Sequence, residues 1–278
     1  MHGDKRRGKL IFMSETPRFI VEKGYAPLQV QERIVSAAAK KALAVLGAAS
    51  SRALLFHMTS LTGLQEKELL ANFRELEKAL WSVFGYGAEI MLKRLSEELA
   101  AATRFCDMGF NEMLDELRRD GSLAFMRSVD YGEHVLLFYR TTAFRDRMAA
   151  GFFDLPAEES RVAVMAEAAV PASVVATTYE QLAGRYGEQS VAEKAGEWAF
   201  SLRRSAHLRL ATDNTWPAEK GIEEASHRQD RLPWTSAAVL CAYDIERIGG
   251  NMPRALESHD FVVLEDSSAV YAKATPSP

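Results

Sequence analysis

Cysteine is almost absent: the 278 residues hold two, Cys106 and Cys241, in unrelated contexts. Two such thiols build neither a disulfide framework nor a zinc site, and they point to a reducing, cytoplasmic setting. Long apolar runs are missing too. None approaches the roughly 20 residues that cross a bilayer, so no membrane association is expected. The run "KLIFM" after "DKRRG" is too short for a secretory signal. Catalytic signatures are equally scarce. There is no G-x-S-x-G elbow and no H-E-x-x-H, and the six histidines show no pair at metal-ligand spacing. The chain is read as a non-enzyme, with no metal, no cofactor and no catalytic residue. One string has the letters of a phosphate loop, "GDKRRGKL", Gly3 to Leu10. No strand precedes it, and Leu10 stands where a Ser or Thr would hold Mg²⁺, so its context fails.

What is present suits a folded chain. Apolar residues make up 47%, enough for a sizeable core. Charge is uneven: residues 1–120 hold 18 Lys and Arg against 16 Asp and Glu, and residues 121–278 hold 16 against 22. The acidic second half argues against a nucleic-acid footprint there and leaves DNA contact by the first half open.

Periodicity divides the chain. Residues 1–27 are polar and aperiodic and read as a flexible N-terminal segment. Residues 28–105 carry helical spacing throughout. Ile34, Ala38, Ala42 and Val45 share one face; so do Leu69, Phe73, Leu76, Leu80 and Phe84; so do Ile90, Leu95 and Leu99. Residues 106–130 read as a connector holding one short helix. From residue 131 to 278 strand and helix alternate: "HVLLFYR", "RVAVMAE", "HLRLATD" and "SAAVLCAYD" are strands with helices between them. "PASVVATTYEQLAGRYG" reads as a helix begun by Pro171, and another is expected from Pro217. "DFVVLED" and "AVYAKA" read as a closing antiparallel hairpin at one sheet edge. The expected fold is two-domain, an all-α domain followed by an α/β domain with a mainly parallel sheet. No glycine-rich turn follows the first strand, so the usual phosphate cradle is missing.

Two strands end on polar residues. "HLRLAT" is followed by Asp213 and, three residues on, Trp216; "AAVLCA" by Tyr243 and Asp244. The carboxyl ends of parallel strands are where α/β sheets bind ligands. Each group also has a structural reading, as a helix cap or an aromatic packed on the sheet. His134 opens its strand and belongs to the opposite end. Arg209 lies in a short basic patch with Arg203 and Arg204.

The second half resembles the MEDS family, a sensory domain named from methanogen and methylotroph regulators. The resemblance spans about residues 131–272 and rests on "GEHVLLFY", "HLRLATDNTW" and "LCAYDIERIGGNMPRALESHDFVV". It aligns Gly132, Glu133 and His134; Arg209, Asp213 and Trp216; Cys241, Tyr243 and Asp244; and His259 with the family's pattern. Asp213 stands where that pattern has glutamate. The resemblance implies a RecA/KaiC-like sheet without a P-loop and a small-molecule ligand. Its site would use Asp213, Trp216, Tyr243 and Asp244, with His134, Arg209 and His259 as further candidates. Residues 53–99 are similar to a small helical output domain of archaeal signalling proteins. Together these imply a signal-transduction or transcription-regulatory sensor. It would bind an unknown small molecule and signal through the helical domain to a protein, DNA or a second copy. Two rivals stand beside it: an enzyme with an acidic and aromatic strand-end site, and a scaffold that dimerises through its helices.

Overall fold

The computed structural model describes residues 16–105, 107–154, 159–165, 170–203, 207–220, 234–248, 252–265 and 269–274. Cys106, Arg204, the Gly3–Leu10 string and most of the helix expected from Pro217 lie outside them. The chain divides into two compact units: residues 1–28, 130–149 and 157–278 form one, and residues 29–129 and 150–156 the other. Among the described residues no helix is long and apolar enough to cross a membrane.

The helical unit contains α2 (Val30–Ala44), α3 (Ala48–Thr62), α4 (Glu66–Ala71), α5 (Phe73–Phe84), α6 (Ala88–Thr103), α7 (Phe110–Arg119) and α8 (Gly121–Arg127). Alanines 38, 39 and 42 line the buried face of α2. Small side chains there let α2 pack closely on α4 and α6, its most extensive partners. Leu69, Leu76, Leu80, Leu95 and Leu99 fill the same core. Three expected core positions are corrected: Val45 is 67%, Phe84 37% and Ile90 74% exposed. Val45 already lies past the end of α2, and Met91 and Ala88 take the buried positions of α6 instead of Ile90. The expected continuous helix over 66–84 is broken at Asn72. Its backbone is extended, and its side chain caps α5 by accepting from the Glu75 N–H at 3.3 Å. The 106–130 connector is also corrected: Met113, Leu114, Leu117 and Ala124 are buried in this core.

The α/β unit holds an eight-stranded sheet. Its strands are β1 (Tyr25–Pro27), β2 (His134–Tyr139), β3 (Ser160–Val164), β4 (Val175–Thr177), β5 (Leu208–Asp213), β6 (Ala237–Asp244), β7 (Phe261–Leu264) and β8 (Val270–Lys273). They lie in the order β1-β8-β7-β2-β6-β5-β3-β4. The six strands from β7 to β4 are parallel; β8 is antiparallel to β7 and to β1. Every residue of β2 is buried, as an unbroken apolar run requires when both sheet faces are covered. The hairpin of β7 and β8 forms, but the sheet edge beside it is β1. That strand belongs to the segment expected to be flexible. Residues 16–22 are helical (α1), Ile20 and Tyr25 are buried, and Tyr25 Oη donates to the Leu256 and His259 carbonyls at 2.5 and 2.6 Å. The helix expected from Pro171 is instead the edge strand β4 followed by α10 (Tyr179–Tyr186), which Thr178 caps.

Two connections set up the candidate site. From β2 the chain crosses to β3 by way of α9 (Thr142–Phe152), passing β6 and β5. From β6 it returns past β2 to β7 by way of α13 (Ile245–Ile248) and α14 (Met252–Glu257). The directions are opposite, and parallel crossovers are right-handed, so the two connections lie on opposite faces. The carboxyl ends of β2 and β6 are therefore a topological switch point, the position at which α/β sheets bind ligands.

Candidate functional site at the carboxyl edge of the sheet

Register brings the strand ends together: Tyr139 pairs with Asp244, and Asp213 with Ala242. Alternation then sorts the side chains by face. Tyr139, Asp213 and Asp244 share one face; Tyr243 belongs to the other, with Val239 and Cys241 in the apolar core.

On the first face Asp213 is the centre. Its Oδ2 accepts from Tyr139 Oη at 2.8 Å and from the Arg145 guanidinium at 2.6 Å. Its Oδ1 accepts from the Thr215 hydroxyl at 2.7 Å and the Thr215 N–H at 3.2 Å. Thr215 Oγ1 in turn accepts from the Asp244 N–H at 2.9 Å. Arg145, on α9, is held also by Asp146 at 2.8 Å. Burial pulls the Arg145 guanidinium down, but the Asp146 and Asp213 carboxylates outweigh it and hold its pKa above the ordinary value. Burial, then the Asp213 charge, push the Tyr139 phenol up to about 12. Tyr139 is thus a neutral donor at physiological pH and not a base. Asp244 spends Oδ1 on the Glu246 N–H at 2.9 Å, capping α13. Its other carboxylate oxygen takes no hydrogen bond among the described residues.

The second face carries a separate chain of polar groups. Tyr179 Oη donates to Asn214 Oδ1 at 2.7 Å, and Asn214 Nδ2 donates to Tyr243 Oη at 3.3 Å. Trp216, on α12 (Thr215–Glu219), stacks on Tyr179 with ring centroids 6.5 Å apart. The four sequence candidates therefore divide: Asp213 and Asp244 meet on one face, while Tyr243 and Trp216 pack on the other. No single crevice is lined by all four.

A third feature lies at the start of α9. Glu265, just after β7, accepts the N–H groups of Arg140 and Thr141 at 2.6 and 2.9 Å and the Thr141 hydroxyl at 2.5 Å. Helix starts after a central strand are ordinary phosphate positions. Here the chain's own carboxylate sits on those N–H groups. Beside it, Thr16 and Pro17 close a cavity of about 10 Å³ with Phe138, Arg140, Ile245 and Leu264. That is room for about one water.

The remaining candidates lie elsewhere. His134 is at the amino-terminal end of β2, where its N–H donates to Asp260 at 3.0 Å. Its ring is 6.5 Å from that of His259, whose Nδ1 lies 2.5 Å from the Ala255 carbonyl. Arg209, second in β5, pairs with Glu159 at 3.6 Å and lies over the Tyr131 ring. Burial lowers its pKa, against the opposing pull of Glu159. Among the described residues no group of three His, Cys, Asp or Glu side chains is placed to hold a metal.

Sequence reasoning missed Tyr139, Arg145, Thr215, Asn214 and Glu265. Tyr139 had a readable signal, a polar residue closing an apolar strand as Asp213 and Asp244 do. Arg145 and Glu265 had none, because only the fold brings them there. No family model, no curated protein and no solved structure matches this chain.

Proposed function

We propose that this chain is a small-molecule sensor of the signal-transduction or transcription-regulatory kind, with a ligand-binding α/β domain and a helical output domain. The observation that carries the reading is the cluster of Tyr139, Arg145, Asp213, Thr215 and Asp244 at the switch point between β2 and β6. A small polar molecule suits it. Such a ligand would take hydrogen bonds from Tyr139 or Arg145 and donate to the second oxygen of Asp244. The strand order, with β2 central and its neighbours β6 and β7 the last two of the parallel strands in the chain, supports a RecA/KaiC-like sheet. Glu265 at the start of α9 supports a version of that sheet that does not hold a nucleotide phosphate there. The MEDS-like reading agrees with both and places the chain in the cytoplasm.

Sensing requires two states with different affinities for the ligand. The cluster offers the means, because Asp213 ties the ends of β2 and β5 to α9. A ligand that recruits Arg145 or Tyr139 would loosen that tie. Mass spectrometry of small molecules released from the purified, then denatured, protein tests the proposal. A compound present in stoichiometric amount with wild type and reduced with Asp244→Asn is expected. Asn keeps the cap but loses the carboxylate. A compound retained equally by Asp244→Asn and by Tyr139→Phe would place binding elsewhere.

A further inference from the structure

The helical unit carries an apolar face around α3. This 15-residue helix buries only Leu54 and Met58. It bears one formal charge, Arg52, and exposes Phe56 at 76% and Leu61 at 53%. Phe56 is itself part of the wall of an open groove, which Arg52, Leu55, Thr59, Gly63, Leu64 and Glu66 also line. The groove has its own polarity. Arg52 stands near the start of α3, and Glu66 lies past its end. Eleven residues separate Arg52 from Gly63, or about 16 Å of helix. Neither Arg52 nor Glu66 forms an ion pair among the described residues.

We infer that this groove is where a second copy of the chain docks, α3 against α3 in antiparallel fashion, each Phe56 entering the other's groove. Three observations support a copy of this chain over an unrelated partner. The charges are complementary: Arg52 on α3 and Glu66, the first residue of α4, line the same groove, so a two-fold rotation can bring Arg52 of one copy to Glu66 of the other, twice over. Phe56 stands in the wall of the same groove it would enter on the other copy, so one patch can serve both partners, as an isologous interface requires. The centre is small. Thr59, Ser60 and Gly63 permit close approach, Thr59 and Ser60 already donate to the Phe56 carbonyl, and a Cβ at Gly63 would meet nothing within 4 Å. An aromatic anchor seated in a pocket and ringed by polar groups is the usual source of interface affinity.

The inference does not depend on the sensor reading, since it concerns the helical unit alone. Sedimentation equilibrium of the full chain, with circular dichroism as the folding control, tests it. Wild type is expected to form a dimer. Phe56→Ser, Arg52→Glu and Glu66→Arg are each expected to weaken it by about tenfold or more. All three positions are exposed, so folding should be unchanged. The double exchange Arg52→Glu with Glu66→Arg restores the pairing and should recover the dimer. A wild-type monomer at high protein concentration would overturn the inference and leave the face to a different partner. So would a dimer indifferent to Phe56→Ser, or one that the double exchange fails to rescue.

Discussion

Asp213 answers for most of the polar order at the carboxyl edge. Its side chain is 16% exposed and that of Arg145 11%, so the pair is largely withdrawn from water. Breaking a buried pair costs about 3–5 kcal/mol, but Arg145 keeps Asp146 when Asp213 is removed. Asp213→Ala should therefore unfold at lower denaturant by an amount near the lower end of that range, because both groups keep some solvent. Asp244 is a milder case. Asp244→Ala should lose about 0.5–2 kcal/mol, the worth of a cap, and Asp244→Asn almost nothing. Denaturant melts of both variants check the pair. Glu265 brings a pH dependence. Burial pushes its carboxyl up, but the Thr141 hydroxyl and the Arg140 and Thr141 N–H groups outweigh that and hold it below the usual range. A depressed folded value means the contribution is complete above the unfolded carboxylate pKa, about 4.3, and lost as pH falls through the folded one. Melting temperatures of wild type and Glu265→Gln should differ near neutrality and converge in acid. A gap that stays constant into acid would show that the carboxylate does not hold the turn.

At the scale of elements, periodicity carried the reading where one face is apolar and failed where the context decides. The stripe of Leu69, Leu76 and Leu80 was legible, and Leu76 is 1% exposed. Leu76→Ala should cost about 2–5 kcal/mol in chemical denaturation. A loss under about 0.5 kcal/mol would mean the packing around α5 is wrong. Phe73 is only partly buried and lies against Phe110, with ring centroids 3.9 Å apart. Its partner is on α7, in the stretch expected to be a connector, so sequence spacing could not foresee the contact. The short β4 was invisible for another reason. Three residues, Val175 to Thr177, are too few to show alternation, and as an edge strand only Thr177 is buried. The strand ends Asp213 and Asp244 were readable because an acid closing an apolar run is rare. Which face each occupies was not, since Tyr243 and Asp244 are neighbours in sequence and point opposite ways.

For the whole molecule, the order of the sheet matters more than any motif. Among the described residues no glycine-rich turn follows β2, yet the connections leaving the paired strands β2 and β6 still depart in opposite directions. The alternation of strand and helix implied such a sheet. The place of β1 could not be read, because it pairs with β8 at the far end of the chain and not with a sequence neighbour. The central claim is that a small molecule bound at the carboxyl edge changes the state of the helical unit. Hydrogen exchange, comparing the protein as purified with protein stripped of small molecules and refolded, measures this most directly. The account expects faster exchange after stripping in peptides covering residues 139–147, 213–219 and 243–248, together with an altered rate in α2 to α6. Identical exchange in both samples, or a change confined to segments away from those strand ends, would contradict it.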